Sequence, residues 1–237
     1  MIYVMSDLHG CYEEYLEMLE KINFQKNDTL FILGDILDRG QRPIDLLEDM
    51  MLRSNIIPIL GNHDFLSYYI LEHLHTPVTQ DNVDSHLDEQ FMTLYLDWLQ
   101  DGGSTTLKQF KKRPYKKRKA ILNYLQEFSL YEEIEVNNQK YVLVHAGIDH
   151  FQENRALSDY DLTDFLYKRC DYNRIYYQDK FLVTGHTPTV LIREDRQPLI
   201  YQSNHHIAID CGCVFGKRLA CLCFDNQKEY YVEKKAL

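Results

Sequence analysis

Short apolar runs rich in β-branched and aromatic residues recur along the chain at Ile2 to Met5, Leu30 to Leu33, Ile56 to Leu60, Tyr141 to Val144 and Phe181 to Val183. Each is bounded by polar or glycine-containing segments, which predicts buried strands. Between the first three the apolar positions switch to the helical period. Tyr12, Tyr15, Leu16, Leu19 and Ile22 share one face, and Ile44, Leu47 and Met50 share another, with Pro43 near the start of the second helix. The N-terminal third therefore reads as β-α-β-α-β. From His73 to Gln90 the pattern is polar and aperiodic, which predicts a mobile loop. Helical spacing returns at Phe91, Leu94, Tyr95, Trp98 and Leu99, stops at Gly102-Gly103, and resumes at Ile121, Leu122, Leu125 and Phe128. A helical insertion over about residues 73–128 is expected within one domain spanning 1–237. The last quarter alternates as strands at Ile207-Ala208-Ile209, Arg218 to Phe224 and Glu229 to Val232, implying a second sheet.

The residues just beyond each strand are more informative than the strands themselves. Ile2 to Met5 runs into Ser6-Asp7-Leu8-His9-Gly10, and Leu30 to Leu33 into Gly34-Asp35-Ile36-Leu37-Asp38-Arg39-Gly40. Ile56 to Leu60 runs into Gly61-Asn62-His63-Asp64, Tyr141 to Val144 into His145-Ala146-Gly147, and Phe181 to Val183 into Thr184-Gly185-His186. A lone Asp or His after a strand is ordinarily a turn former. Five strand ends carrying the same three side-chain types instead predict convergence on one cleft, because α/β sheets bind ligands outside the carboxyl ends of their strands.

Composition narrows the class of molecule. With 237 residues, 45% hydrophobic and 26% charged, the chain can bury a sizeable core and is neither a disordered tail nor a collagen. No apolar run approaches the span of a bilayer, and the first residues lack the basic and apolar regions of a secretory leader. Six cysteines are too sparse for a disulfide scaffold, so a reducing cytoplasm is the expected compartment. A formal charge of −10 argues against nucleic-acid binding, although Lys111 to Lys119 holds seven of the 26 basic residues. That run reads as a solvated helix end or as a dock for an acidic or phosphorylated substrate.

Asp, His and Asn without thiolate suit divalent ions such as Mn, Fe or Zn. Asp7 and His9 lie two apart after one strand, Asp35 can bridge, and Asn62, His145 and His186 complete a second set. Two ions a few ångströms apart lower the pKa of a bound water and clamp attacking and leaving oxygens, which suits phosphoester hydrolysis. Arg39 offers a planar fork for phosphate oxygens. His63 is placed to protonate the leaving oxygen, with Asp38 to orient its imidazole.

The set Asp7-Leu8-His9-Gly10, Gly34-Asp35-x-x-Asp38-Arg39-Gly40, Gly61-Asn62-His63-Asp64, His145-Ala146-Gly147 and Gly185-His186 resembles the signature of calcineurin-like metallophosphoesterases, and more narrowly their phosphoprotein phosphatase branch in its bacterial and phage form. The resemblance implies a four-layer α/β/β/α sandwich of two mixed sheets with flanking helices. It implies Asp7, His9 and Asp35 on a first metal, Asp35, Asn62, His145 and His186 on a second, and His63 as general acid paired with Asp38. Leu166-Tyr167-Lys168-Arg169 resembles the segment that supplies a second phosphate arginine, here Arg169, with Tyr167 where bacterial members usually have Trp. Trp98 to Leu107 and Asp210 to Gly216 are similar to further bacterial phosphatase segments. Asp64 stands where this branch usually has Glu, and Cys211 where Thr is frequent.

By that resemblance the expected activity is a manganese-dependent phosphoserine/phosphothreonine protein phosphatase in which a metal-bridging hydroxide attacks in line, with Fe or Zn as alternative metals. A symmetrical dinucleoside-tetraphosphate hydrolase is the second reading, and a non-catalytic metal-binding module the third. Intact Asp38, Arg39 and His63 argue against the third, and Trp98 to Leu107 favours the first over the second. Cys211-x-Cys213 and Cys221-x-Cys223 are read as small buried packing on two adjacent strands and not as zinc ligands. His73, His75, His86, His150, His205 and His206 are read as surface or loop histidines.

Overall fold

The computed structural model describes residues 1–77, 79 and 88–235. Strands β1 (Ile2–Met5), β2 (Thr29–Leu33) and β3 (Ile56–Ile59) lie side by side and parallel, with Val4 opposite Phe31 and Leu30 opposite Ile56. Helices α1 (Tyr12–Lys21) and α2 (Pro43–Met51) make the crossovers. Pro43 sits in the first turn of α2, where its missing N–H costs nothing. Alternation along the strands splits their side chains. Tyr3, Met5, Leu30 and Ile32 pack towards a helical layer, whereas Val4, Phe31, Leu33 and Ile59 pack towards a second sheet. The buried stripe of α1 is Tyr15, Met18 and Leu19, and Leu16, expected on it, is 37% exposed.

The second sheet has the order β4, β5, β6, β8, β7, built from β4 (Tyr131–Val136), β5 (Gln139–Val144), β6 (Lys180–Thr184), β7 (Tyr201–Ser203) and β8 (His206–Ala208). Strands β5, β6 and β8 are parallel, and β4 and β7 run antiparallel on its edges. The C-terminal hairpin β9 (Arg218–Cys223) and β10 (Glu229–Glu233) departs from the expected second sheet. It returns to the first, where β9 pairs antiparallel with β1 and gives the order β10, β9, β1, β2, β3. The inward side chains of both sheets form one core, including Val4, Leu33, Leu143, Val183, Ile207 and Leu222. A third cluster beneath the second sheet joins Val142, Val144 and Leu182 to Phe165 of the short helix α7 (Leu162–Leu166) and to Tyr176 and Tyr177. The architecture is two mixed sheets packed face to face with helices outside them.

Between β3 and β4 run α3 (Asn62–His75), α4 (Glu89–Trp98), α5 (Ser104–Lys111) and α6 (Tyr115–Gln126). The segment expected to be a loop from His73 to Gln90 is helical at both ends. Helix α3 continues through His75, and Asp88 caps α4 by accepting from the Phe91 N–H at 2.6 Å. Residues 80–87, His86 among them, lie outside the described residues. Gly102-Gly103 does not end a helix cleanly. It forms a kink, Leu99–Gly103, that re-aims the chain from α4 into α5. In the basic run, Arg113 pairs with Asp45 at 2.5 Å and with Glu48 at 2.8 Å on α2, so this residue is structural and not solvated.

All six cysteines are buried and free. Cys221 and Cys223 lie on β9, but Cys211 and Cys213 lie in the turn region after β8 and not on an adjacent strand as expected. His206 is also unlike its expectation: it is fully buried, with Nε2 2.9 Å from the Thr184 hydroxyl. Among the described residues, no helix is long and apolar enough to cross a membrane.

Candidate active site

The parallel strands β1, β2 and β3 end on one side of their sheet, and β5 and β6 end beside them. The turns at these strand ends are laced together by backbone hydrogen bonds. Asp7 N–H donates to the Gly34 carbonyl at 3.1 Å, His9 N–H to that of Asp35 at 2.7 Å, and Gly185 N–H to that of His145 at 2.8 Å. Asp7, His9, Asp35, Asp38, Arg39 and His186 all adopt positive φ between 40° and 68°. Six non-glycine residues in that region store strain, which the packed scaffold holds in place.

Four potential ligand atoms converge at the centre. His145 Nε2 lies 3.0 Å from Asn62 Oδ1, 3.2 Å from His186 Nδ1 and 3.5 Å from Asp35 Oδ1, while His186 Nδ1 lies 3.1 Å from Asn62 Oδ1. On the other side of Asp35, its Oδ2 lies 3.4 Å from His9 Nε2. The tautomers follow from the far side of each ring. The Leu33 carbonyl accepts from His145 Nδ1 at 2.8 Å and the Leu37 carbonyl from His9 Nδ1 at 2.9 Å, so both Nε2 atoms are bare and face inward. Burial pushes His9 down to about 3 and His186 to about 4, keeping both rings neutral. Asp35 feels the same burial, but the His145 and His63 imidazoles beside it, and the His63 backbone N–H that its Oδ1 accepts at 3.0 Å, hold its carboxyl below the usual range.

Lone pairs pointed at lone pairs in a buried space repel unless a cation lies among them. Donor atoms of Asp35, His145 and His186 fall within 4.8 Å of one another, as do those of His9, Asp35 and His63, and the two groups share Asp35. Burial and the neighbouring Asp210 and Asp35 raise Asp7, and burial raises Asp210 to about 7, as expected for carboxylates short of positive charge. The donor set thus fits two divalent ions with oxygen and nitrogen ligands. Asp7 is held differently from its partners: both its oxygens accept from the His186 backbone N–H, at 2.9 and 3.2 Å.

His63 lies in the first turn of α3 and places Nδ1 2.9 Å from Asp38 Oδ2. Asp38 also accepts from the Ser67 hydroxyl at 2.9 Å, the Thr106 hydroxyl at 2.7 Å and the Trp98 indole N–H at 2.9 Å. Burial opposes protonation of His63, yet the Asp38 hydrogen bond and the Asp35 charge leave its pKa raised. Arg39 reaches across the mouth, donating from Nη1 to His9 Nε2 at 2.9 Å and from Nη2 to both Asp101 oxygens at 3.0 and 3.2 Å. Arg39 and Arg169 line a cavity of about 380 Å³ together with Asp7, His9, Asp35, Asn62, His63 and His186. All ten residues singled out from the sequence are therefore in or directly behind one site, with Asp38 and His145 the ones behind its surface.

Asp101, Thr106, Ser67, Asp210, Phe215 and Lys217 also touch this site or line its cavity, and sequence reasoning gave them no role. Trp98, Asp101 and Thr106 lie in a segment whose resemblance was visible, but its contacts, Trp98 and Thr106 with Asp38 and Asp101 with Arg39, were not.

A profile of calcineurin-like phosphoesterases matches residues 1–232. A relative from Oceanobacillus iheyensis, named asymmetrical bis(5'-nucleosyl)-tetraphosphatase, is 27% identical over 254 residues, covering 95% of this chain and 89% of its own. One from Wigglesworthia glossinidia brevipalpis, named symmetrical bis(5'-nucleosyl)-tetraphosphatase, is 32% identical over 99 residues, covering 41% of this chain and 36% of its own. The chain thus spans about a third of that relative's length. Among solved structures, one provisionally named a diadenosine tetraphosphatase superposes with a TM-score of 0.67 at 17% identity, covering 100% of this chain and 94% of the other. A serine/threonine phosphatase from Saccharomyces cerevisiae gives 0.54 at 12% identity, covering 100% and 80%. At such identities the superpositions establish the fold alone, whereas the profile match runs through nearly every residue; the chain belongs to the calcineurin-like phosphoesterase family.

Proposed function

We propose that this protein is a dimetal-dependent hydrolase of dinucleoside tetraphosphates. The observation that carries the reading is the similarity, across 95% of the chain, to a relative named for that activity. This reverses the preference for a protein phosphatase drawn from Trp98 to Leu107, because the Oceanobacillus and Wigglesworthia relatives are both named for dinucleotides. On this reading Asp7, His9 and Asp35 hold one ion and Asp35, Asn62, His145 and His186 the other. Such ions supply a water of lowered pKa and neutralise charge on the phosphoryl oxygens. Arg39 and Arg169 orient the phosphoryl group, and His63, protonated and held by Asp38, gives its Nε2 proton to the departing phosphate oxygen.

The test is a parallel assay with Mn of diadenosine tetraphosphate and a set of phosphoserine and phosphothreonine peptides. A higher kcat/KM on the dinucleotide is expected. Products separated by chromatography then fix the bond cleaved: two ADP for symmetrical attack, ATP plus AMP for asymmetrical. Higher kcat/KM on the phosphopeptides overturns the proposal in favour of a protein phosphatase.

A further inference from the structure

One wall of the cavity differs from the rest. Phe215 and Leu191 each leave 56% of their surface exposed, beside a floor of carboxylates and imidazoles. An exposed aromatic ring at the mouth of a polar cavity is costly to hydrate and is characteristic of a contact surface. The turn that carries the ring is also fixed. Phe215 ends a single tight turn, Cys213–Phe215, bracketed by Gly212 at φ 73° and Gly216 at φ 75°, conformations that a side chain would strain. Asp210 Oδ1 accepts from the Gly212 N–H at 2.8 Å, and the Gly212 carbonyl accepts from Phe215 at 3.0 Å and Lys217 at 3.2 Å. Cys213 anchors the turn in the core. The Arg39 guanidinium lies over the ring, 5.5 Å from its centroid.

Charge points the same way. Arg39, Arg169 and Lys217 line the same cavity. With Arg39 and Arg169 assigned above to the phosphoryl group under attack, Lys217 adds a third cation to the same cavity, available to a further phosphate. A chain of phosphates ending in a flat base matches a lysine two residues from an exposed aromatic ring.

We propose that the Gly212–Lys217 turn is a nucleoside-polyphosphate subsite, in which Phe215 stacks against a nucleobase and Lys217 binds a phosphate next to the one being attacked. It rests on the dinucleotide reading and names the residues that would give that reading its selectivity. Stacking on one ring face uses the π-surface that all bases share, so the subsite accepts adenine and guanine alike. Because the turn is held by its own backbone, little ordering entropy is lost on binding.

The experiment is equilibrium binding of ADP and of pyrophosphate to the full-length protein in Mn buffer, for wild type, Phe215→Ala, Phe215→Trp and Lys217→Ala. Wild type should bind ADP about tenfold or more tighter than pyrophosphate. Phe215→Ala should abolish that preference and Phe215→Trp retain it, while Lys217→Ala should weaken both ligands. Equal affinity for ADP and pyrophosphate in wild type, or an unchanged preference in Phe215→Ala, overturns the subsite. Turnover of diadenosine tetraphosphate is measured on the same samples. An ADP preference without that turnover removes the proposed function and leaves the subsite standing; turnover without the preference does the reverse.

Discussion

His63 Nδ1 and Asp38 Oδ2 lie 2.9 Å apart, and the carboxylate behind that contact is wholly buried under three further donors. Asp38 therefore has no freedom to follow the imidazole; the imidazole must follow it. Replacing Asp38 with Asn exchanges an acceptor for an amide that cannot stabilise an imidazolium. Turnover of substrates with poor leaving groups should fall by about 100-fold, in the range of general acid catalysis. Because Asp38 raises the His63 pKa, the protonated donor persists to higher pH, and activity is lost as pH rises through that value. In the Asn variant the alkaline limb of the pH–rate profile should move to lower pH. An unmoved limb would assign it to another group.

Chelation should abolish turnover and Mn restore it, with about two ions bound per chain by elemental analysis. The reason is the convergence of oxygen and nitrogen ligand atoms of His9, Asp35, Asn62, His145 and His186 around shared Asp35, a set that suits divalent ions. The melting temperature should drop on chelation by mass action alone. Full turnover in metal-free protein would refute the dimetal assignment.

Asp210 gives a test of the electrostatics in the metal-free protein. Its folded pKa, raised by burial to about 7, lies above the ordinary carboxylate value, so ionising it opposes folding. Its contribution is most favourable at pH below the unfolded value, near 4, and is lost as pH rises through 7. Asp210→Asn keeps an oxygen for the Gly212 N–H and removes the charge. With chelator present it should raise the melting temperature by about 3 °C or more at pH 8, and the gain should shrink as pH falls below 7. A gain of equal size at pH 5 would mean that charge is not its source.

Gly102 sits at φ 105°, and a Cβ there would fall 2.6 Å from Arg39 Cγ and 2.7 Å from its backbone nitrogen. The Gly102 carbonyl meanwhile accepts from that same Arg39 N–H at 3.1 Å. Gly102→Ala should cost about 1–3 kcal/mol in denaturant unfolding and, by displacing Arg39, lower kcat/KM about tenfold with metal content unchanged. Lost stability with intact kinetics would show that Arg39 is positioned without this contact.

The site was more legible in the sequence than the fold around it. Strand ends announce themselves locally, since Asp7, Asp35, Asn62, His145 and His186 each come within a few residues of an apolar run. Sheet membership has no local signal. Arg218–Cys223 reads as a strand, but only long-range pairing with β1 decides which sheet it joins. The stripe of α1 slipped by the same logic: Leu16 and Met18 are equally apolar, and the neighbouring packing surface selects Met18. The partners of Asp38 other than His63 stayed hidden because Ser67, Trp98 and Thr106 meet it only after α3, α4 and α5 fold over β2. Tyr131–Val136, with charged residues along its outer face, was too polar to read as a strand.

Strand β1 lies between β2 and β9, so Val4 has one partner in Phe31 and the other in Leu222. On a ribosome these two halves of its environment emerge far apart in time. Until Leu222 appears, one edge of β1 carries unpaired N–H and C=O groups at the base of the turn that bears Asp7, an edge prone to pairing with another chain. Closing it joins Val4 to Leu222, a contact between residues far apart in sequence, the kind that slows folding. Strand β9 thus seals the sheet, and the segment just before it brings Asp210 and Phe215 to the cavity, which ties the completion of the site to the pairing of β9 with β1.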